Sequence, residues 1–233
     1  MNTQSNTYTF LYSVVLVVVV ATLLAVISLS LKDRQNANIR NEKMQNILSS
    51  ANIDVPADKA AAEFEKYIKE QFIVNSRGEK MDGEAFNVNI AKEFEKAPSE
   101  RQLPVFVADV NGARKYILPL YGKGLWGAIW GYISLNDDKN TVYGIFFDHA
   151  GETPGLGAEI TNKGKFRSHF EGKKVMDNGT RILKVSKGAS AKGRGDHEVD
   201  ALSGGTLTSN GVEAMLGEYV EAYKLFLSKQ VNN

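Results

Sequence analysis

A long, uninterrupted apolar run stands near the start of the chain. Residues 10–31 contain no charged side chain, and as a helix they would span roughly 33 Å, which is enough to cross a bilayer. They predict a transmembrane helix, preceded by a short N-terminal tail over residues 1–9. A cleaved signal peptide is the alternative, but such peptides begin with a positively charged segment, and residues 1–8 contain no Lys or Arg.

The chain becomes polar after the apolar run. Residues 32–50 have only sparse apolar positions and predict a polar stalk outside any core. Residues 56–72 then carry apolar side chains at three- and four-residue spacing, which is typical of an amphipathic helix. These side chains are Ala61, Phe64, Tyr67, Ile68 and Phe72.

Beyond Pro104 the pattern changes to short runs rich in β-branched and aromatic residues, which is typical of strands. Asn111-Gly112 and residues 136–140 supply turn residues between successive runs, so the strands are predicted to form antiparallel hairpins. The runs are Val105–Val110, Lys115–Tyr121, Trp126–Leu135 and Val142–Phe147, with a weaker one at Ile182–Val185.

The last predicted element is a helix with one apolar stripe. Asn210 followed by Glu213 predicts a capping box at its start. Residues 51–233 are therefore predicted to form one soluble α+β domain with a mainly antiparallel sheet and flanking helices. The stripe consists of Val212, Met215, Leu216, Tyr219, Val220, Tyr223, Phe226 and Leu227.

The amino-acid composition excludes several classes of chemistry and partner. The 28 Lys and Arg nearly balance the 27 Asp and Glu, leaving a formal charge of +1, so there is no electrostatic case for a nucleic-acid partner. The chain has no cysteine, which excludes disulfides, thiolate catalysis and cysteine-ligated metal centres. Its three histidines are scattered, and neither a metal site nor a catalytic residue is predicted. Redox chemistry would need a bound cofactor.

Residues 200–211 form a loop rich in glycine and hydroxyl side chains that leads into the last helix. Unpaired backbone N–H groups and the helix dipole favour a phosphate at such a position, and Gly204 and Gly205 permit close approach of the backbone. The alternative is an ordinary loop in which Thr208, Ser209 or Asn210 caps the helix.

Asp200-x-x-Ser203-Gly204-Gly205-Thr206 resembles the flavinylation motif of the FMN-binding domain family. The resemblance implies that the phosphate of FMN is esterified to Thr206. It also implies a separate flavin transferase that uses FAD, needs Mg2+ only during the transfer and recognises Asp200. The family usually has alanine at the position of Gly205. The cofactor-binding candidates in this loop are Asp200, Ser203, Gly204, Gly205, Thr206, Leu207 and Thr208.

Two further motifs, Gly122-Lys-Gly-Leu-Trp-Gly127 and Gly151-Glu-Thr-Pro-Gly-Leu-Gly-Ala-Glu159, precede that loop. Together the three segments resemble the family of C subunits of sodium-translocating NADH:quinone reductases. The resemblance implies an isoalloxazine ring beside the second motif, with Trp126 as an aromatic wall. Lys184 and Lys187 are candidates for neutralising the flavin phosphate. The ring-side candidates are Trp126, Glu152, Thr153, Gly155, Leu156 and Gly157.

The same resemblance implies a single-pass flavoprotein of the bacterial inner membrane that carries electrons between neighbouring subunits, especially B, D and E, during sodium export. It implies a periplasmic domain, whereas the basic residues that follow the apolar run would by charge bias favour the cytoplasm. A homologous flavin subunit of an ion-translocating ferredoxin:NAD oxidoreductase and a tethered module without a redox role are the alternatives. The basic residues are Lys32, Arg34, Arg40 and Lys43.

Overall fold

A computed structural model describes residues 5–188 and 195–229 of the chain. Its first element, helix α1, runs without interruption from Asn6 to Ser50. The chain divides into two compact units, the first ending at Lys43 and the second beginning at Met44. Helix α1 therefore begins within the predicted tail, residues 1–9, of which residues 1–4 lie outside the described range.

The apolar part of α1 matches the predicted membrane span. Its most apolar window has a mean hydropathy of 3.0, and none of that window is buried in the protein. Exposed valine and leucine side chains continue through this region. Length and composition thus make α1 a candidate membrane-spanning helix.

The C-terminal end of α1 belongs to the soluble domain. Met44, Ile47 and Leu48 are buried, although residues 32–50 were predicted to form a polar stalk and the domain to begin at residue 51. The difference arises because three apolar side chains at three- and four-residue spacing are enough to give one buried helix face. This face joins a core cluster with Phe64 and Phe106.

The centre of the domain is an antiparallel sheet with the strand order β2-β1-β3-β4-β5-β6 in the described residues. The four central runs predicted as strands are present, and consecutive ones form hairpins. Asn111 and Gly112 both have positive φ, at 56° and 77°, as a two-residue hairpin turn requires. The strands are β1 (Ile68–Val74), β2 (Lys80–Met81), β3 (Leu103–Val110), β4 (Ala113–Lys123), β5 (Ala128–Leu135) and β6 (Val142–His149).

Shorter elements complete the domain. Strands β7 and β8 pair antiparallel, whereas β9 and β10 pair in parallel. The helices are α2 (Ala60–Tyr67), α3 (Ile90–Phe94) and α4 (Thr206–Ser228), and the additional strands are β7 (Met176–Asp177), β8 (Thr180–Arg181), β9 (Lys184–Ser186) and β10 (Glu198–Asp200). Short 3-10 helices cover Ala57–Lys59, Ala85–Asn87, Pro98–Glu100, Gly157–Thr161 and Arg167–Phe170.

Helices cover both faces of the sheet. The apolar stripe of α4 packs on one face, where Tyr219 and Tyr223 are almost fully buried. Helix α2 and the end of α1 pack on the other face. This arrangement confirms the predicted α+β class with a mainly antiparallel sheet and flanking helices.

Two predicted elements differ from the structure. The helix expected over residues 56–72 ends at Tyr67, and the chain continues directly into β1, which pairs with β2 and β3. Helix α4 begins at Thr206, so Asn210 lies inside the helix and is not its cap. Pairing with distant strands explains the first difference, because cross-strand contacts override local helical periodicity. The second places the glycine-rich loop directly at the helix start.

Candidate functional site

Three segments that are distant in sequence meet at the start of α4 and form a cleft of about 150 Å3, here named the three-loop cleft. One segment is the β4–β5 turn, the second follows β6, and the third is the loop that leads into α4. The lining residues are Leu125, Glu152, Thr153, Leu156, Gly157, Gly204, Gly205, Thr206, Leu207 and Thr208. The fold thus brings most of the predicted cofactor-binding residues together.

A larger cavity of about 590 Å3 lies elsewhere, along the C-terminal half of α4. Arg101, Glu218 and Leu225 are among its lining residues, and none of the glycine-rich segments contributes to it. The three-loop cleft is therefore the better candidate, because chemistry depends on which groups converge and not on volume alone.

The start of α4 offers unpaired backbone donors to the cleft. Gly205 is the residue before the helix, and no side chain caps this end. Ser209 is the first helical residue whose N–H bonds a preceding carbonyl, that of Gly205 at 2.9 Å. Within the described residues the N–H groups of Thr206, Leu207 and Thr208 accordingly lack acceptors. This geometry, together with the helix dipole, suits an anionic group.

The hydroxyl groups near this helix start differ in availability. Thr208 and Ser209 are each 1% exposed; Thr208 donates a hydrogen bond to Glu152, and Ser209 accepts one from the N–H of Leu202. Thr206 is half-buried, lines the cleft and has no hydrogen bond from its hydroxyl in the described part of the chain. Among the helical residues at this end, Thr206 therefore carries the available nucleophilic oxygen.

Glu152 ties the three segments together. Its side chain is 4% exposed; Oε1 accepts the N–H of Trp126 at 2.9 Å, and Oε2 accepts the hydroxyl of Thr208 at 2.5 Å. We call this arrangement the carboxylate brace. Burial alone would raise the pKa of Glu152, but the hydrogen bonds from Thr208 and from the N–H groups of Trp126 and Leu125 outweigh it and lower the pKa. The carboxylate is thus held in its charged form.

Two glycines make room for the brace. A Cβ added to Gly124 would lie 2.5 Å from Oε1 of Glu152. A Cβ added to Gly157 would lie 2.5 Å from Oε2 of Glu152 and 2.3 Å from Oγ1 of Thr208. These distances are far below van der Waals contact, so glycine at both positions is a steric requirement of the buried carboxylate.

We expect Gly157→Ala to disrupt the carboxylate brace. The added methyl group must displace Glu152 or Thr208, and overpacking of this kind costs about 1–3 kcal/mol. Thermal unfolding of the full chain in detergent should show a lower midpoint. Gly151→Ala is the matched control on the same segment, because a Cβ there meets no atom within 4 Å. Equal midpoints for the two variants would contradict the steric role of Gly157.

Apolar side chains form the rim of the cleft. Leu125, Leu156 and Leu207 all line it and are between 44% and 59% exposed, and Trp126, which is adjacent to Leu125, is 69% exposed. Large exposed apolar groups are uncommon in clusters on soluble domains, and such clusters mark binding surfaces. The rim therefore suits a planar apolar ligand or a partner surface.

Several predicted residues lie outside the cleft lining. Trp126 sits in the β4–β5 turn and contributes its backbone N–H to the brace. Asp200 ends β10 and pairs with Ser186 of β9, which places it at the base of the loop. Lys184 and Lys187 are exposed and do not line the cleft. Two further predicted residues, Gly155 and Ser203, do not line it either.

Sequence reasoning missed Leu125 and the inward orientation of Glu152. Leu125 and Trp126 stand between Gly124 and Gly127, and large apolar side chains in so short a turn are a signal for an exposed apolar contact, since such a turn has little core to fill. The described residues contain no cluster of His, Cys, Asp and Glu suited to a metal ion.

Comparison with known proteins places this geometry in a family. Residues 124–221 match the family model of the FMN-binding domain, and this range includes the three segments of the cleft. The C subunit of the Na(+)-translocating NADH-quinone reductase from Vibrio vulnificus is 34% identical over 204 residues, covering 80% of this chain and 79% of that protein.

Two solved structures extend the likeness to the fold. The crystal structure of the C subunit of the Na(+)-translocating NADH-quinone reductase from Parabacteroides distasonis has a TM-score of 0.79 and 46% identity, covering 86% of this chain and 98% of that one. The Shewanella oneidensis NqrC structure has a TM-score of 0.67 and 27% identity, covering 81% and 95%. The chain therefore belongs to the family of C subunits of Na+-translocating NADH:quinone reductases.

Proposed function

We propose that this chain is the electron-carrying flavoprotein subunit of a Na+-translocating NADH:quinone reductase, with FMN attached through a phosphoester to Thr206. The observation that carries the proposal is the position of Thr206. It is the first residue of α4, its hydroxyl is available, and it lines a cleft built from three motifs of the family.

The three-loop cleft fits an FMN phosphate at Thr206. The unpaired N–H groups at the start of α4 would receive the phosphate oxygens, as helix N-termini do in other phosphate sites. Gly204 has φ +77°, and a Cβ there would lie 2.7 Å from Cδ2 of Leu156, so glycine keeps the loop close to the opposite rim. The cavity of about 150 Å3 would enclose only part of a cofactor of this size, which leaves the rest at the rim.

The cofactor would carry the electrons, and the protein residues would bind and position it. FMN, when bound, supplies reversible electron transfer. Thr206 keeps it on the chain, the start of α4 holds its phosphate, and Leu125, Leu156 and Leu207 offer apolar surface to the ring. The carboxylate brace holds the three segments that carry these groups.

Attachment would need a separate enzyme, because a threonine hydroxyl is a poor nucleophile without an activating base or metal. A flavin transferase with Mg2+ would catalyse the reaction with FAD as donor. Oγ1 of Thr206 forms a bond to the phosphorus of the FMN half, the pyrophosphate bond breaks, AMP leaves, and the hydroxyl proton passes to a base of the transferase. Asp200, at the end of β10, would be a recognition residue for that enzyme.

Helix α1, the candidate membrane span, supports a membrane setting. We place the chain in the bacterial inner membrane as a single-pass subunit with the domain in the periplasm. There the flavin would exchange electrons with neighbouring subunits, especially B, D and E, as the complex couples NADH oxidation by quinone to sodium export. A covalent bond would keep the cofactor from diffusing away on that side of the membrane.

Mass spectrometry of the assembled complex tests the proposal. The peptide that spans residues 200–210 should carry the mass of an FMN phosphoester on Thr206, and the complex should oxidise NADH with quinone. A complex that is active while this peptide is unmodified would refute the attachment site. A complex that needs ferredoxin and does not reduce quinone would instead support the ferredoxin:NAD alternative.

A further inference from the structure

The carboxylate brace places a negative charge at the wall of the three-loop cleft. Glu152 is among the residues that line the cleft, although its side chain is almost entirely buried. We propose that Glu152 is a positioning residue that also lowers the reduction potential of the flavin bound in this cleft. The inference rests on the proposed function and specifies how this chain tunes its cofactor.

The charge of Glu152 is not paired with a Lys or Arg side chain. In residues 5–188 and 195–229 no Lys or Arg forms an ion pair with it, and its hydrogen bonds come from the hydroxyl of Thr208 and backbone N–H groups. The nearby His149 accepts the N–H of Glu152 at Nδ1, at 3.1 Å, and its electrostatic effect adds to the hydrogen bonds that lower the pKa of Glu152. Neutral donors stabilise a carboxylate without cancelling its charge.

A second carboxylate, Glu213 on α4, contrasts with Glu152, which lies in the loop after β6. Glu213 of α4 also joins distant segments, accepting hydrogen bonds from Arg181 at 2.5 Å and from the N–H of Val185 at 2.7 Å. Its charge is paired with a guanidinium. Glu213, which only fastens α4 to β8 and β9, is therefore neutralised by an arginine. Glu152, which lines the cleft, is not.

An unpaired charge at this place opposes reduction. Two-electron reduction of a flavin at neutral pH takes up two electrons and one proton, so the ring gains one negative charge. A carboxylate in a partly desolvated wall disfavours that gain more strongly than it would in water. The oxidised form carries no such charge and is affected less. The field of Glu152 should therefore shift the equilibrium towards oxidised flavin, which lowers the potential.

Glu152→Gln removes the charge and keeps the size of the side chain. Its amide oxygen can still accept the N–H of Trp126, and its amide N–H2 can donate to the hydroxyl of Thr208. We expect the reduced-to-oxidised equilibrium to rise at least tenfold, which corresponds to about 30 mV for a two-electron couple. The measurement is a dithionite titration of the full chain in detergent, loaded with flavin by coexpression with a flavin transferase.

Thr208→Val separates the charge from the mechanical role. It removes one neutral donor to Glu152 and nearly preserves volume, so the carboxylate becomes less screened and the potential should fall. If the substitutions acted only by loosening the loops, the potentials of Glu152→Gln and Thr208→Val would shift in the same direction. Glu221→Gln is the matched control for net charge, because Glu221 is exposed on α4, and its potential should equal that of the wild type.

The outcomes are distinct. An unchanged or lower potential in Glu152→Gln, an equal rise in Thr208→Val, or an equal rise in Glu221→Gln would overturn the inference. If Glu152→Gln takes up no flavin, the potential of Thr208→Val tests the inference instead. A potential lower than that of the wild type supports the inference, and an unchanged or higher potential overturns it. Absence of covalent flavin from the wild type, seen as no fluorescence on a denaturing gel, would instead mean that the proposed function has failed.

Discussion

Thr206→Ala is expected to abolish covalent flavin on the chain. The substitution removes the only oxygen that the side chain could esterify, while alanine is a favourable residue at a helix start that no side chain caps. The protein should therefore fold and lack the cofactor. The measurement is ultraviolet fluorescence of the chain on a denaturing gel after coexpression with the transferase, and the signal should fall to background.

Two controls sharpen this result. Ser203→Ala removes an exposed hydroxyl of the same loop, and Thr208→Val removes the hydroxyl that is buried against Glu152. Both variants should remain fluorescent, because the proposed acceptor is Thr206. Fluorescence that survives in Thr206→Ala and disappears in Ser203→Ala would move the attachment site to Ser203. The assembled complex with Thr206→Ala should also lose NADH-dependent quinone reduction.

The hairpins of the sheet could be predicted because their determinants are local. Asn111-Gly112 adopts the positive φ values that its composition suggests, and the flanking runs are rich in β-branched and aromatic residues. Strand β1 could not be predicted in the same way. Its residues Ile68 and Phe72 continue a helical spacing, and only pairing with β2 and β3, which the local pattern does not encode, makes the segment extended.

The candidate site was predictable as a set of motifs but not as a geometry. The resemblance of the glycine-rich loop before α4 to a family motif made Thr206 a candidate. The start of α4 at Thr206 has no local signal, since no side chain caps the helix. The inward orientation of the Glu152 side chain depends on hydrogen-bond donors that lie 26 and 56 residues away in sequence. Contacts with such distant partners do not produce a periodic pattern in the local sequence.

The end of α1 shows a similar dependence on distant partners. Arg167 is buried and donates hydrogen bonds to the carbonyl of Ile145 at 2.8 Å and to the hydroxyl of Ser49 at 3.0 Å. Its guanidinium also lies over the ring of Phe146. Burial lowers the pKa of Arg167, against the opposing effect of Asp54 and Glu171, yet a guanidinium stays charged in proteins. Arg167 therefore joins the last turns of α1 to strand β6.

Arg167→Met is expected to destabilise the domain. Methionine keeps the apolar stem but leaves the carbonyl of Ile145 and the hydroxyl of Ser49 without their charged donor, at a cost of about 3 kcal/mol. For a domain of this size such a loss lowers the thermal midpoint by roughly 6–12 °C. Tryptophan fluorescence of the full chain in detergent would follow the unfolding.

The matched control for this substitution is Arg77→Met. Arg77 is an exposed arginine whose ion pair with Glu79, at 3.0 Å, lies at the surface, where such pairs contribute about 1 kcal/mol or less. The thermal unfolding midpoint of Arg77→Met should stay close to that of the wild type. If the two variants unfold at the same temperature, Arg167 does not fasten α1 to the sheet, and the apolar contacts of Met44, Ile47 and Leu48 alone hold the end of the helix in the domain.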